Sequence, residues 1–362
     1  MTGAPAANPV PTDEIVPAAP AIGDKSIASW REMCAAHAKP SNWRGITQIL
    51  NTAVPFFALI AVMLYGLDNG AWYALGLALP AAALLVRLFM IQHDCGHGSF
   101  FKARWANDLI GPVLGVLTLT PYAYWRQSHA VHHATNSNLD RRGQGDMTTL
   151  TVREYLASSR WKKLLYWLYR HPVVLFGIGP TYMFLLRHRI PTGNPLRHRR
   201  TWISMLGNNA ALAAIVVLMG FTIGFGPFLL TYGPVFLLAA SAGVWLFYVQ
   251  HQFENTYWET SQHWDYQAAA LQGSSHYDLP RILQWVTCHI GLHHIHHLSS
   301  RIPNYRLRDC YQQNPAFWNA KRLTLLSSLR CAKLALWDED QRKMVSFRQM
   351  RQRLAAGGAA HS

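Results

Sequence analysis

Four long apolar stretches limit what this chain can fold into. They run from about Ile46 to Leu67, Ala71 to Ile91, Met205 to Ile223 and Phe228 to Gln250. The core of a bilayer contains no water to satisfy backbone groups, so a helix that crosses it needs roughly 20 mostly apolar residues. Each stretch meets this requirement, and we predict four transmembrane helices in an all-α membrane protein.

Short connectors join these stretches in pairs. Residues 68–70 read Asp-Asn-Gly, and residues 224–227 read Gly-Phe-Gly-Pro. Connectors of this length make neighbouring helices antiparallel, so we expect two hairpins. Two further apolar stretches, Leu109 to Thr120 and Pro172 to Leu186, are too short or too interrupted to cross, and we expect re-entrant or interfacial segments there.

The charged residues lie almost entirely outside the four stretches. Only 14% of the 362 residues are charged, and the formal charge is +15. Nucleic-acid modules carry such basic residues on a water-exposed scaffold, whereas here long apolar runs exclude them, so we expect no nucleic-acid partner. Apart from Arg87, every Lys and Arg lies before the first stretch, between Gln92 and Ser204, or after Gln250. By the positive-inside rule these three regions share the cytoplasmic side, and Arg87 is expected to anchor a helix end.

The two ends of the chain differ from its centre. The first 30 residues are rich in Ala and Pro and lack the basic and apolar segments of a secretory signal. We expect residues 1–35 to form a disordered tail, residues 36–350 one membrane domain and residues 351–362 a short C-terminal tail. The five cysteines have no repeated spacing, which predicts no disulfide framework.

Eighteen histidines are the other unusual feature, and many of them cluster. The three clusters read His93-Asp94-Cys95-Gly96-His97, His129-Ala130-Val131-His132-His133 and His293-His294-Ile295-His296-His297. Positions i and i+4 of a helix share a face, so HxxxH and HxxHH place imidazoles side by side. The eight candidate metal ligands are His93, His97, His129, His132, His133, His293, His296 and His297.

A metal resolves the crowding of these imidazoles. In an apolar setting without one, neighbouring rings would compete for protons and leave nitrogens unsatisfied. Imidazole binds zinc, copper, iron and nickel well, but one tetrahedral zinc uses at most four ligands. Two ions suit eight histidines better, and the apolar surroundings favour a pair of irons that activates dioxygen beside a hydrocarbon. The spacing itself does not choose iron over manganese or copper.

At these clusters the sequence resembles the membrane-bound fatty acid desaturases, most of all the bacterial acyl-lipid omega-6 (delta-12-like) branch. The resemblance rests on residues 92–100, Tyr124-Trp125-Arg126, residues 249–254 and the segment from His293 to Pro303. It covers about residues 45 to 350. It implies two iron ions, dioxygen as co-substrate, and removal of two hydrogens from an acyl chain to leave a cis double bond. It further implies a lipid-linked substrate and a bacterial inner membrane with the metals on its cytoplasmic side.

The resemblance adds one candidate ligand and reveals one departure. His251 matches a further histidine that the family places near the metals. Relatives usually have Gly-Asn or Ala-Asn before Ile-Gly, where this chain has Cys288-His289. His289 lies four residues before His293, so on a continuous helix it would share the same face. It could bind the metal directly, act through water, or simply be tolerated nearby.

Carboxylates near the clusters could orient the ligands. Metal-bound imidazoles commonly donate their other N–H to a carboxylate or carbonyl. Asp140, Asp146 and Glu254 are close enough in sequence to serve, whereas Asp94 is expected on a different helical face from the histidines of its box. The remaining histidines lack cluster spacing and are expected to be surface or packing residues: His171, His188, His198, His263, His276 and His361.

Basic residues after the second interfacial stretch have more than one possible partner. They are Arg187, Arg189, Arg197, Arg199 and Arg200. They could hold anionic lipid headgroups or steer an acidic electron donor, and topology alone also explains them. The sequence shows no fused haem-binding segment, so the resemblance implies an external donor, either ferredoxin-like or a b-type cytochrome.

Other functions remain open at this point. A hydroxylase or carotenoid ketolase of the same architecture would use the same metals, and it would retain oxygen in its product. A His-rich metal transporter would place its ligands within the spans near the bilayer midplane, whereas these clusters lie at or beyond the ends of the predicted helices.

The clusters generate a first prediction. Replacing His97, His132 or His297 with Ala should abolish double-bond formation, because each change removes one nitrogen from a metal site, while membrane insertion stays intact. Fatty-acid profiling of the expressing cells, beside an immunoblot of their membrane fraction, measures both effects. Full activity in any one variant would remove that histidine from the ligand set.

Overall fold

Long apolar helices dominate the chain in the computed structural model, which describes residues 27–143, 145–190 and 198–359. Within those residues, four helical segments are long and apolar enough to cross a membrane: Asn42–Asp68, Trp72–His97, Arg199–Thr222 and Phe225–His251. Each corresponds to one of the four predicted stretches. The second begins with a 3-10 turn, Trp72–Leu77, which leads directly into an α-helix.

The α-helices of the described residues are numbered in chain order. They are α1 (Ile27–Ala35), α2 (Asn42–Asp68), α3 (Ala78–His97), α4 (Arg104–Leu117), α5 (Tyr122–Thr135), α6 (Val152–Ala157), α7 (Arg160–Arg170), α8 (Gly179–Leu185), α9 (Arg199–Thr222), α10 (Phe225–His251), α11 (Tyr266–Gln272), α12 (Arg281–Val286), α13 (His293–Leu298), α14 (Asn304–Gln313), α15 (Leu325–Ser328) and α16 (Phe347–Ala359). The two short apolar stretches become α4 and, after a π-helical turn at Val174–Ile178, α8.

Helix α3 is the centre of the fold. It packs against α2, α4 and α10, and most of its side chains are buried. It continues past the predicted boundary at Ile91 to His97, so the first histidine cluster occupies its last two turns. Gly98 ends it in a left-handed conformation (φ 68°) that glycine adopts without steric cost, and its N–H reaches the carbonyls of Asp94 and Cys95.

Within the described residues, five short strands correct the all-α prediction, and the fold is mostly helical. They are β1 (Leu150–Thr151), β2 (His276–Asp278), β3 (Arg322–Thr324), β4 (Leu336–Asp338) and β5 (Lys343–Val345). Strand β4 lies between β1, which runs parallel to it, and β5, which runs antiparallel; β2 pairs with β3 in parallel. Strands of two or three residues are too short to show a sequence alternation, which is why the residue pattern does not predict them.

Part of each segment predicted as a tail is helical. Residues 1–26 and 360–362 lie outside the described part of the chain, but residues 27–35 form α1, with Trp30 and Cys34 buried. The Trp30 ring lies 5.2 Å from that of Phe317. At the other end, α16 runs through residues 351–359, and its Arg353 pairs with Asp338. Contacts with distant residues therefore order both segments.

The leucine spacing from Pro315 to Trp337 predicts one amphipathic helix, and this prediction is wrong. A 3-10 turn, β3, α15, a second 3-10 turn and β4 share that segment. The Thr324 hydroxyl accepts a hydrogen bond from the Ser327 N–H and caps the N-terminus of α15, which is therefore a separate helix. Leu323 pairs with Tyr277 in the β2–β3 ladder, so strand pairing replaces the helical pattern.

Arg87 does not extend to a membrane surface as an anchor. It is 6% exposed, and its guanidinium donates to the Thr52 hydroxyl and the Trp285 carbonyl. The same group lies 4.0 Å from the centre of the Trp285 ring. Arg87 thus ties α3 to α2 and to α12, which precedes the third histidine cluster.

Gly291 generates a prediction about stability. A Cβ at this position would lie 2.2 Å from the Tyr277 carbonyl oxygen, because the two backbones pair closely. Gly291→Ala should lower the free energy of unfolding by about 1–3 kcal/mol or more, the usual cost of overpacking. Thermal unfolding in detergent measures this.

Gly207 provides the control for this change. It lies in α9, where an added Cβ would meet open space, so Gly207→Ala should leave the unfolding midpoint unchanged or raise it. Equal midpoints for the two variants would contradict the close approach of Gly291 to Tyr277.

Candidate metal centre

Nine of the ten candidate histidines converge in two adjoining groups. Within each group the ligand nitrogens all lie within 4.8 Å of one another. The first group contains His93, His97, His129, His133 and His296. The second contains His132, His251, His293 and His297.

The helices divide each HxxHH motif between the two groups. On α5, His129 and His133 are one turn apart and belong to the first group, while His132 belongs to the second. On α13 the arrangement is reversed: His293 and His297 join the second group, and His296 joins the first. The i, i+4 pairing predicted from the sequence therefore holds, and the middle histidine of each motif serves the neighbouring group.

The Nε2 atoms face one another at short range. In the first group, His129 Nε2 lies 3.0 Å from His93 Nε2 and 3.1 Å from His97 Nε2. In the second group, His293 Nε2 lies 2.9 Å from His251 Nε2. Ring contacts join the groups, since His133 stacks on His297 with centroids 4.2 Å apart.

The donor set fits metal ions. Burial, followed by repulsion from neighbouring imidazoles, holds the pKa of each candidate ligand on α5 and α13 for which a shift is resolved well below its usual value; these are His129, His133, His293, His296 and His297. The rings are therefore neutral at physiological pH and present lone pairs. The Nε2 atoms of His132 and His297 are buried without a hydrogen-bond partner among the described residues. A cation shared by each group would satisfy them.

Three ligand rings have their other nitrogen fixed by a partner. His132 Nδ1 contacts the Asp146 carboxylate, and His93 Nδ1 lies 3.1 Å from Asp94 Oδ1. His251 Nδ1 lies 3.1 Å from the Gly273 carbonyl, which can only accept. The proton must therefore sit on Nδ1 of His251, which leaves Nε2 free to bind a metal. His251 thus has the orientation expected of a ligand.

The carboxylates only partly follow the sequence expectation. Asp146 does contact a ligand, whereas Asp140 accepts from the Ser261 N–H at 2.7 Å and Glu254 is paired loosely with Lys343 at 3.9 Å. Asp94, expected on another face, reaches its neighbour His93 because the carboxylate can fold back along the helix.

Asn304 is a contributor that sequence reasoning missed. Its backbone N–H and its side-chain amide donate to Asp94 Oδ2 at 2.7 and 2.9 Å. Asp94 therefore connects the first cluster with the start of α14, just after the third cluster. The sequence offered one signal near Asn304, because Pro303 marks the start of a helix. No residue spacing, however, linked Asn304 to Asp94.

His289 lies outside both groups among the described residues. It occupies a turn between α12 and α13 with φ 57°, so the helical face that would align it with His293 does not exist. The left-handed conformation suits the Asn that relatives usually carry there. His294, the one histidine of the third cluster outside the candidate ligands, is fully buried beside Tyr311 and Phe317.

The other histidines divide between surface and interior. His171, His198 and His263 are exposed and His276 is half-buried, in line with the expectation, and His361 lies outside the described residues. His188 is 8% exposed and lines a cavity that reaches the candidate ligands His93, His129 and His293.

That cavity has a volume of about 360 Å³ and runs between the helices beside the two groups. Its walls are mostly apolar and come from α3, α8 and α10; examples are Leu85, Phe89, Met183, Phe184, Phe236, Ala240 and Val244. Its lining also includes His93, His129 and His293. An apolar chain can therefore lie along the helices with one part directly beside the candidate metals.

The basic residues after α8 have different environments. Arg189 donates to the Asn208 and Asn209 side chains at 2.7 and 2.9 Å, so it connects the turn after α8 to the middle of α9 and is not free to hold a headgroup. Arg199 and Arg200 are exposed, and Arg197 lies outside the described residues. Arg187 is half-buried and lines the cavity.

Comparison with known proteins agrees with this site. A family model described as fatty acid desaturase matches residues 70–328, a range that contains all nine converging histidines. The chain is 45% identical to a fatty acid desaturase of Bacillus subtilis over 88% of this chain and 90% of that protein. It is 30% identical to an sn-1 oleoyl-lipid 12-desaturase of Synechocystis, over 69% of this chain and 70% of the relative. An sn-1 acyl-lipid omega-3 desaturase (ferredoxin) from the same organism is 31% identical, over 70% and 69%.

The carboxylate contacts generate a prediction about metal binding. Asp146→Asn should lower metal affinity by about 10- to 100-fold, because an amide cannot hold the His132 ring in the same tautomer and charge environment as the carboxylate does. Metal content after dialysis of the purified protein measures the loss.

Glu254→Gln is the matched control, since Glu254 is exposed and belongs to neither histidine group among the described residues. Equal metal retention by the two variants would show that the Asp146 contact does not support the site.

Proposed function

Since this chain belongs to the fatty acid desaturase family of oxidoreductases, we propose that it forms a cis double bond in the acyl chain of a membrane lipid. Two iron ions and dioxygen would serve the reaction. The observation that carries the proposal is the convergence of nine histidines in two groups beside an apolar cavity that three of them line.

The two groups would each hold one iron. His93, His97, His129, His133 and His296 would bind the first, and His132, His251, His293 and His297 the second. His289 is left out of this ligand set. When bound, the irons supply the redox chemistry by which dioxygen, two external electrons and two protons remove two hydrogens from adjacent methylenes, with water as the other product.

The protein positions the ligands and excludes water. Asp146 and Asp94 fix the rings of His132 and His93, and the Gly273 carbonyl fixes His251. Trp125 stacks on His129 with centroids 4.6 Å apart and lines the cavity beside it. These contacts hold the donor atoms in place before any metal binds, which lowers the cost of assembling the site.

The apolar cavity would bind the acyl chain. Burial of each methylene stabilises the bound chain by roughly 0.8 kcal/mol. Wall residues such as Leu85 and Phe236 provide the apolar surface for it. An acyl lipid is the substrate class that fits a cavity between membrane helices. The two Synechocystis relatives are also named as desaturases of acyl lipids.

Electrons would come from a separate protein. One relative carries ferredoxin in its name, and a ferredoxin-like protein or a b-type cytochrome could each deliver one electron at a time. Basic side chains such as Arg104, Arg126, Arg199 and Arg200 line an open groove beside α5 and would attract an acidic donor.

We further propose that the spans form two antiparallel hairpins with the metals on the cytoplasmic side of a bacterial inner membrane. The cluster histidines occupy the C-terminal ends of α3 and α10. The N-terminal ends of α2 and α9 would lie on the same side, because each contacts a helix next to or bearing a histidine cluster. The Ser41 N–H at the start of α2 donates to the Tyr305 hydroxyl in α14, and the Ala123 N–H in α5 donates to the Ser204 hydroxyl in α9. The basic segments share this side, as the positive-inside rule requires. Residues 36–350 would then act as one membrane domain.

Heterologous expression tests the proposed function. In a bacterial host that lacks polyunsaturated lipids, with a ferredoxin and its reductase supplied, the wild-type chain should add a double bond that fatty-acid profiling detects. The purified protein should contain about two irons per chain, because two histidine groups each bind one.

Product chemistry separates this proposal from its rival. Oxygen retained in the product would indicate a hydroxylase or ketolase and contradict the desaturase assignment. Zinc or copper in place of iron in active protein would contradict the di-iron assignment.

A further inference from the structure

Besides the candidate ligand His293, two polar side chains in the cavity wall carry buried nitrogens without a hydrogen-bond partner among the described residues. Arg187 and His188 lie in the 3-10 turn Arg187–Arg189 that follows α8, and both line the cavity that reaches His93 and His293. Arg187 Nη1 and His188 Nδ1 are shielded from solvent, and neither has a hydrogen-bond partner among the described residues. His188 is more than nine-tenths buried.

The neighbouring arginine shows that the turn itself is well anchored. Both terminal nitrogens of Arg189 are used: Nη1 donates to Asn208 and Asn209, and Nη2 donates to the Leu119 carbonyl. The Asn209 side chain donates back to the Arg189 carbonyl at 3.2 Å. The backbone of the turn is therefore fixed, and this fixes Arg187 and His188 against the cavity.

Unpartnered groups of this kind are unfavourable in an empty cavity. A buried donor without an acceptor loses its hydration and gains nothing in return, and the loss is larger when the group is charged. Burial, with the adjacent positive charges of Arg189 and Arg187, lowers the pKa of His188 to about 3. His188 is therefore neutral, and its ring can donate one hydrogen bond while Arg187 donates from its guanidinium.

The cavity wall offers these two donors no carboxylate within reach. Of the described residues that line it, the sole acidic one is Asp146, whose Oδ1 contacts His132. Its Oδ2 is buried and likewise has no partner among the described residues, so this carboxylate lies out of hydrogen-bonding reach of Arg187 and His188. The rest of the wall is mostly apolar and fits methylenes, which accept no hydrogen bond. We therefore expect the missing acceptor to come with the ligand, at the one polar point of an otherwise apolar chain.

We propose that Arg187 and His188 bind the ester carbonyl of the acyl-lipid substrate. This inference rests on the proposed function, because it places the substrate of that reaction in the cavity. With the carbonyl held at the turn and the chain extending past His93 and His293, the number of methylenes between anchor and metals selects the carbon that is attacked. Arg187 and His188 thus become determinants of double-bond position counted from the carboxyl end.

An ester lipid and its ether analogue provide the test. Dioleoyl phosphatidylcholine and the matched dioleyl ether lipid share chain and headgroup, and only the first has the carbonyl. Iron-loaded wild-type protein in nanodiscs should bind the ester lipid about 10-fold or more tightly than the ether lipid, the usual gain from hydrogen bonds to a charged group. Displacement of a fluorescent lipid measures both affinities without turnover.

Substitutions test whether Arg187 and His188 cause the preference for the ester lipid. Arg187→Gln and His188→Phe should each reduce the ester-over-ether ratio toward one and broaden the distribution of double-bond positions, while Arg187→Lys should retain part of the ratio. Arg348→Gln is the matched control, because Arg348 is exposed on α16 and does not line the cavity. Iron content shows which variants keep the folded site, and His188→Phe supplies an independent measurement if Arg187→Gln loses iron.

The outcomes separate the two proposals. Equal wild-type affinity for ester and ether lipids would overturn the carbonyl site and would point to the shared headgroup phosphate instead. An unchanged ratio in both Arg187→Gln and His188→Phe would overturn it as well. Preferential binding of the ester lipid without any double-bond formation would support the carbonyl site and contradict the proposed function alone.

Discussion

The structure depends on bringing nine imidazoles together in a space largely enclosed by helices. Their Nε2 atoms cannot all be satisfied by one another, because His129 Nε2 faces those of His93, His97 and His133 at 3.0–3.1 Å and one proton can serve only one of these contacts. Bound cations would satisfy these nitrogens and stabilise the folded chain. Metal binding is then coupled to folding of the segments that supply the ligands. The hydrogen-bonded carboxylates Asp94 and Asp146 lower the cost by holding two rings in place beforehand.

The same constraint explains the architecture around the site. A buried central helix, α3, carries two ligands out of the apolar layer, α10 carries a third, and α5 and α13 supply the rest. Because these helices also contribute to the cavity wall, the chemistry that needs polar ligands lies directly against a surface suited to methylenes. Arg170 connects the segment that carries His251 to the rest of the fold. Its guanidinium donates to Tyr248 and Gln252, which flank His251 in the chain, and to the Leu334 carbonyl.

Sequence patterns predicted the elements with a strong periodic or compositional signal. The four spans follow from apolar length, and the family is confirmed by a match over residues 70–328. Predictions that depended on extending a helix were less successful. His289 would share a face with His293 only on a continuous helix, and the backbone instead takes a left-handed turn there. The segment after Pro315 likewise contains strands where its leucine spacing predicts one helix. Local periodicity does not report tertiary pairing, so it cannot locate such breaks.

The sequence alone determined that the chain has four apolar helices and three clusters of imidazoles outside their apolar stretches, since both features are properties of neighbouring residues. The tertiary structure decided which nitrogen belongs to which group, and it divided each HxxHH motif between two sites. It also brought Asn304 to Asp94 and placed Arg187 and His188 in the cavity. These relations join residues far apart in the chain, and only the packing of helices fixes the distances between them.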